Sequence, residues 1–217
     1  MAEPKHMNFL NKFLPPGWHP ELLNLKITGV VSDSRQVKPG CVFVAIAGES
    51  QDGHEYIDRA IEQGAVLIIG ERDLSRSLKV PYLNLHTSGR KILAGLAAEY
   101  HGNPSLSLVM VGVTGTSGKT TTSYLIESIL KASGHKVGVI GTVNIRYEST
   151  VIPSALTTPG PVELQGILQQ MKDAGCTAIV MEVSSHALKQ ARLASIAFDS
   201  MVFTNLSPEH LDFHKDM

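Results

Sequence analysis

Gly112-Val113-Thr114-Gly115-Thr116-Ser117-Gly118-Lys119-Thr120-Thr121-Thr122 stands between an apolar run at 106–113 and an amphipathic helical stretch at 120–132. Strand, glycine-rich turn and helix in that order make a phosphate-binding loop. Small residues let consecutive backbone N–H groups curl around phosphate oxygens, and the helix aims its positive end at the same charge. In this reading Lys119 pairs with the outer phosphates and the Thr120 hydroxyl holds Mg2+. The alternative is a plain Gly/Thr-rich strand-to-helix turn; Lys119 argues against it, because an unpaired cation suits the base of a tight apolar junction poorly. The spacing is narrower than usual. G-x-x-x-x-G-K-[ST] needs glycine six residues before Lys119, where Val113 stands.

Working outward from the loop, the later chain reads as strand, loop, helix 120–132 stopped by Gly134, strand 136–140, an irregular segment to Pro161, helix 162–174, strand 177–183 and strand 200–204. That order predicts a parallel sheet built from crossover units. Ligands of such sheets collect beyond the carboxyl ends of the strands. Residues 114–120, 141–142, 182–186 and 205–210 would all emerge there. Before the loop, strands at 41–47, 65–69 and 80–85 alternate with helices at 56–63 and 89–100, a small α/β unit. Ile57, Ala60 and Ile61 fall at i, i+3 and i+4 and give the first helix one apolar stripe. Gly102 and Pro104 together break the pattern and place a domain boundary at about residue 103.

Composition narrows the functional classes. With 217 residues, 43% apolar and 18% charged, the chain can bury a substantial core. A net charge of −1 without a dense Lys/Arg block gives no electrostatic case for nucleic acid or a membrane surface. Met1 to Gly17 lacks a signal-length apolar stretch, and no run reaches the roughly 18 apolar residues of a membrane span, so a cytoplasmic protein is expected. Cys41 and Cys176 lack CxxC spacing and read as two buried thiols.

Other residues could join the loop's chemistry. Glu182 ends an apolar strand on the phosphate side, where a carboxylate coordinates Mg2+ or simply meets a surface partner. Ser184, Ser185 and His186 follow, with Gln190 and Arg192 beyond; Arg192 suits a carboxylate or phosphate. A Ser-His hydrolase is disfavoured because the G-x-S-x-G elbow is absent. Spacing alone makes His210 a weak magnesium ligand, since that ion prefers oxygen, while Asp212 and His214 read as capping or a solvated helix face. Ser32-Asp33-Ser34-Arg35 and the segment from Gly48 to His54 read as polar turns.

Taken together, these strings resemble the Mur ligases of peptidoglycan synthesis, and within them the branch that adds the third residue to UDP-N-acetylmuramoyl-dipeptide. In the first half the matching strings are Ser32-Asp33-Ser34-Arg35, Pro39-Gly40, Phe43-Val44-Ala45 and Asp52-Gly53-His54. In the second they are Thr114-Gly115-Thr116, Gly118-Lys119-Thr120-Thr121, Gly141-Thr142, Thr157-Thr158-Pro159, Glu182-Val183-Ser184-Ser185-His186 and Thr204-Asn205-Leu206. The resemblance implies a UDP-sugar-binding domain at 1–103 and a central ATP-binding domain, a P-loop parallel-sheet ATPase fold, at 104–217. It implies ATP at Gly115, Thr116, Ser117, Gly118, Lys119, Thr120 and Thr121, and Mg2+ on Thr120, Glu182 and His210. Lys119, Glu182 and His210 would be the catalytic groups, and Ser34, Thr157, Thr158, Ser184, Gln190 and Arg192 the contacts to the muramoyl-dipeptide. The implied reaction activates a carboxylate as an acyl phosphate, which a diamino acid, meso-diaminopimelate or L-lysine, then converts to an amide.

Two loop-side positions depart from the family pattern: Ser117 stands for its usual asparagine and Glu209 for its usual aspartate. The family's central domain also continues beyond the length seen here and is followed by an amino-acid-binding domain, so the resemblance implies a fragment inactive alone. Competing expectations are a non-catalytic module binding UDP-muramoyl peptide or ATP, and a folylpolyglutamate synthase-like ligase, against which the strings before Gly102 argue. A small GTPase ranks last, because no N-K-x-D string occurs. Nothing in the chain sets an oligomeric state.

Overall fold

The computed structural model describes residues 5–6, 25–48 and 51–216. Apart from residues 5–6, the segment Met1 to Gly17 and the turn residues Glu49 and Ser50 lie outside the described residues. The chain divides into two compact units, 1–102 and 103–217.

In the first unit, β1 (Lys5–His6) pairs antiparallel with β2 (Lys26–Ile27). The four strands β3 (Gly29–Val31), β4 (Cys41–Val44), β5 (Leu67–Gly70) and β6 (Tyr82–Asn84) form a parallel sheet in sequential order. Each residue of β4 and β5 is buried, as expected of parallel strands covered on both faces. Helix α1 (Ile57–Glu62) lays Ile57 and Ala60 into a core with Phe43 and Ile68, following the predicted stripe. Helix α2 (Gly89–Tyr100) is buried on all sides through residues 92–98 and anchors its end through Tyr100, whose hydroxyl donates to the Thr28 carbonyl at 2.8 Å.

The second unit is a six-stranded sheet in the order β10-β9-β8-β11-β7-β12. Its parallel part is β8 (Val137–Ile140), β11 (Ala178–Glu182), β7 (Val109–Thr114) and β12 (Ser200–Phe203). Helix α3 (Lys119–Ala132) connects β7 to β8, and α4 (Pro161–Asp173) leads into β11, which enters between them. Because the chain builds to one side of β7 and then returns to the other with β12, the loop after β7 sits where strand order reverses, the usual ligand position of such sheets.

Two expectations need correction here. The sheet is not wholly parallel: the segment read as irregular contains a hairpin, β9 (Asn144–Tyr147) and β10 (Thr150–Pro153), that extends the sheet antiparallel from β8. The strand read from residue 106 begins instead at Val109, because Pro104–Ser107 forms a 3-10 turn opened by Asn103 in the left-handed conformation. Val113, the residue in place of the ordinary loop glycine, is fully buried in β7. The strand runs through this position to Thr114, and an apolar side chain there serves the core.

Candidate functional site

Gly115 has φ +130°, and a Cβ on it would meet the Thr204 hydroxyl at 2.2 Å and the Asn205 carbonyl at 2.8 Å. The loop therefore passes β12's end at backbone distance. Asn205 holds it there: its side-chain N–H donates to the Ser117 carbonyl at 2.9 Å, and its Oδ1 accepts the Ser117 N–H at 3.1 Å. Its backbone carbonyl accepts the Thr116 N–H at 3.0 Å, and Thr204 Oγ1 donates to the Ser117 carbonyl at 2.7 Å. The amides of Thr116 and Ser117 are thus already satisfied. Helix α3, beginning at Lys119, has no side-chain cap. Its first-turn N–H groups and positive end suit a phosphate. Lys119 Nζ folds over the loop, donating to the carbonyls of Gly115 at 2.6 Å and Thr116 at 2.9 Å.

Glu182, at the end of β11, is only 2% exposed. Gly141 makes room for it, since a Cβ there would lie 2.4 Å from Oε1. Its Oε2 accepts the hydroxyls of Thr120 at 3.0 Å and Thr142 at 2.9 Å, and its Oε1 faces the Thr142 N–H at 3.3 Å. No Lys, Arg or His among the described residues forms a salt bridge with it. A buried carboxylate with neutral donors and no cation is poorly compensated. A magnesium ion fits this donor set: Thr120 gives its proton to Glu182 and keeps its oxygen lone pairs, and both donors are oxygen.

The residues after β11 are held as tightly. Ser184 caps α5 (Ser185–Lys189) by accepting the Ala187 N–H at 3.2 Å. Thr158, fully buried, donates to the Glu182 carbonyl at 2.8 Å and accepts the Ser184 N–H at 3.0 Å. Arg192 donates to the Thr158 carbonyl at 2.6 Å and forks onto Gln190 Oε1 at 3.0 and 2.7 Å. Thr158, Ser184, Gln190 and Arg192 therefore form one connected group with Glu182, and Thr157 joins it through the Thr142 hydroxyl at 3.0 Å.

His210 stands somewhat apart. Its ring meets that of His186 edge-on at 4.6 Å, and its Nε2 lies 3.3 Å from Glu209 Oε1. It shares with Gly115, Lys119, Ser184, Ser185 and His214 a cleft of about 540 Å³. Among the described residues, no three His, Cys, Asp or Glu side chains are grouped for a metal. Desolvation pushes the His186 imidazole below its ordinary pKa, and the His210 and His214 rings add to the shift. His214, the last residue of α6 (Leu211–His214), pairs with Ser185 Oγ at 2.9 Å.

In the first unit, Ser34 opens a 3-10 turn capped by Asp33, which accepts the Arg35 N–H at 2.9 Å. The Arg35 guanidinium forks onto Asp33 and holds its carboxyl below the usual range. Ser34 lines a separate cleft of about 430 Å³ with Arg35, Gln51, Tyr56 and Arg59.

Comparison with known proteins places this geometry in a family. Residues 26–101 match the Mur ligase family, catalytic domain, and residues 113–217 match the Mur ligase middle domain. The chain belongs to the Mur ligase family. Similar relatives include UDP-N-acetylmuramoyl-L-alanyl-D-glutamate--2,6-diaminopimelate ligases of Chlorobaculum tepidum, 50% identical over 192 residues, and of Geobacter sulfurreducens, 43% identical over 195. These matches take in 88% and 90% of this chain and 38% of each relative, so the chain spans well under half their length. A solved ligase of the same description superposes with a TM-score of 0.78 at 25% identity, covering 95% of this chain and 42% of the other. The MurF ligase of Thermotoga maritima, solved with ADP, gives 0.56 at 31% identity, covering 86% and 39%.

Within this Mur ligase chain, two contact residues were absent from the predicted site: Asn205, which braces the loop, and Thr142, which contacts Glu182. Their signal was present, since both lie in strings of the family pattern. What the strings lacked was the partner of each side chain. No helix among the described residues is long and apolar enough to cross a membrane.

Proposed function

We propose that this chain is the nucleotide- and UDP-sugar-binding part of a ligase that joins diaminopimelate to UDP-N-acetylmuramoyl-L-alanyl-D-glutamate at the expense of ATP, in the cytoplasm. The ligation itself is assigned to a protein of the relatives' full length. The observation that carries the reading is the buried, cation-free Glu182 hydrogen-bonded to Thr120 directly after the phosphate-loop lysine.

Lys119 and the first-turn amides of α3 would neutralise and orient the outer phosphates, which is most of what phosphoryl transfer asks of a protein. Thr120 and Glu182, with His210 across the cleft, would hold Mg2+, which supplies charge neutralisation on the transferring phosphoryl group. Thr157, Thr158, Ser184, Gln190 and Arg192 would hold the peptide end of the acceptor, and Ser34 the uridine nucleotide in the first unit. The D-glutamyl carboxylate takes the γ-phosphoryl group to give an acyl phosphate and ADP. The amine of the diamino acid then attacks the acyl carbon, loses a proton and releases phosphate.

Relatives named as diaminopimelate ligases support that substrate over L-lysine. Competition binding to the 217-residue chain tests the nucleotide assignment: ATP with Mg2+ should displace a fluorescent adenine nucleotide far better than GTP does. Equal or stronger displacement by GTP would sink it.

A further inference from the structure

Thr142 follows Gly141 in the turn after β8. Its hydroxyl oxygen lies 2.9 Å from Glu182 Oε2 and 3.0 Å from Thr157 Oγ1. An ionised carboxylate only accepts, and a threonine hydroxyl has one proton. Thr142 must therefore donate to Glu182, and Thr157 must donate to Thr142. From the other side Thr120 donates to the same carboxylate oxygen at 3.0 Å. The hydroxyls form a directed chain, Thr157 to Thr142 to Glu182, met by Thr120. Thr158, the next residue, is tied independently to the Glu182 carbonyl at 2.8 Å.

We infer that Thr142 is a positioning residue that couples the magnesium end of the nucleotide site to the segment carrying Thr157 and Thr158. The inference rests on the reading of Thr120 and Glu182 as a MgATP site. With two hydroxyl donors on Oε2 and the Thr142 N–H on Oε1, the carboxylate is fixed in rotation and presents one defined face. Removing the Thr142 hydroxyl leaves Glu182 one donor short and Thr157 without its acceptor. An acceptor substrate that takes the Thr157 hydrogen bond leaves the Thr142 oxygen without its donor, and the change reaches Glu182 through that single intervening oxygen. Hydroxyl chains of this kind act as units, so their members' contributions do not add.

Calorimetric titration of the full 217-residue chain with ATP, with and without Mg2+, tests this. Thr142 is exposed, so the near-isosteric Thr142→Val leaves packing intact, which thermal melting checks. The expected result is ~10-fold weaker MgATP binding for Thr142→Val, while ATP without Mg2+ changes by less than about twofold. Thr142→Ser restores the affinity. Thr157→Val weakens MgATP binding a few-fold, and the double variant binds no more weakly than Thr142→Val alone. Wild-type MgATP affinity in Thr142→Val, equal losses with and without Mg2+, or multiplying penalties would each overturn the coupling. A wild-type chain whose ATP affinity ignores Mg2+ overturns the site reading itself, and this inference with it, before any variant is compared.

Discussion

Gly115 and Lys119 show how much of the site rests on single side chains. At Gly115 a methyl group would collide with Thr204 and Asn205 in a conformation that L-residues rarely adopt. Gly115→Ala is therefore expected to destabilise the second unit by roughly 2 kcal/mol or more, read as a lowered denaturant midpoint. Lys119→Ala removes two hydrogen bonds to the loop carbonyls and should lower stability by about 1 kcal/mol, while weakening MgATP binding by roughly 10- to 100-fold, the scale of hydrogen bonds to a charged group. Asn205→Ala removes two side-chain hydrogen bonds to Ser117 and should weaken MgATP binding by about tenfold through the loop's shape alone. The first two residues were legible in the sequence, because glycine and lysine at that spacing have few other uses. Asn205 was not legible as a brace: its partner lies 88 positions away, a pairing that only strand order decides.

Among the elements, segments with a clear apolar pattern read correctly, short strands such as β5 and β8 included, and the hairpin did not. Helices α2, α3 and α4 and the buried strands carried clear apolar patterns. The β9–β10 hairpin escaped, having four-residue strands, exposed apolar side chains on β10 and a turn through Glu148 at φ +47° rather than through glycine. What holds β9 to α3 is an ion pair buried at the helix face: Arg146 pairs with Glu127, which Lys131 also meets at 2.8 Å. Glu127 is 7% exposed. Burial pushes its carboxyl up, but Arg146 and Lys131 together outweigh it and hold the group below its ordinary 4.5. A carboxyl depressed in the folded state stabilises above its unfolded pKa and loses that contribution as pH falls through the folded one. Stability should thus fall as pH drops below about 4.5, and Glu127→Gln should flatten that part of the profile in chemical denaturation. Arg146→Ala leaves the buried carboxylate with Lys131 as its remaining cation and should cost about 2 kcal/mol at neutral pH. A pH profile unchanged by Glu127→Gln would refute the assignment.

At the scale of the whole molecule, β12 is an edge strand with Met201 48% and Phe203 64% exposed, followed by exposed Leu206 and Leu211. An unpaired edge flanked by apolar side chains invites association. Sedimentation of the 217-residue chain should show concentration-dependent self-association that Phe203→Lys reduces, and a strictly monomeric chain at high concentration would contradict this. The family itself was legible from ordered strings spread through both units; the contacts between those strings were not, because hydrogen-bond partners follow from strand order and not from spacing. On the proposed function, the phosphate loop serves to activate a carboxylate for amide formation. The most direct measurement is phosphate release from ATP by a protein of the relatives' full length that contains this chain. Release should require UDP-N-acetylmuramoyl-L-alanyl-D-glutamate and diaminopimelate together, and Lys119→Ala should abolish it. Turnover with a folate and glutamate, or with neither muramoyl substrate nor amine present, would contradict the account.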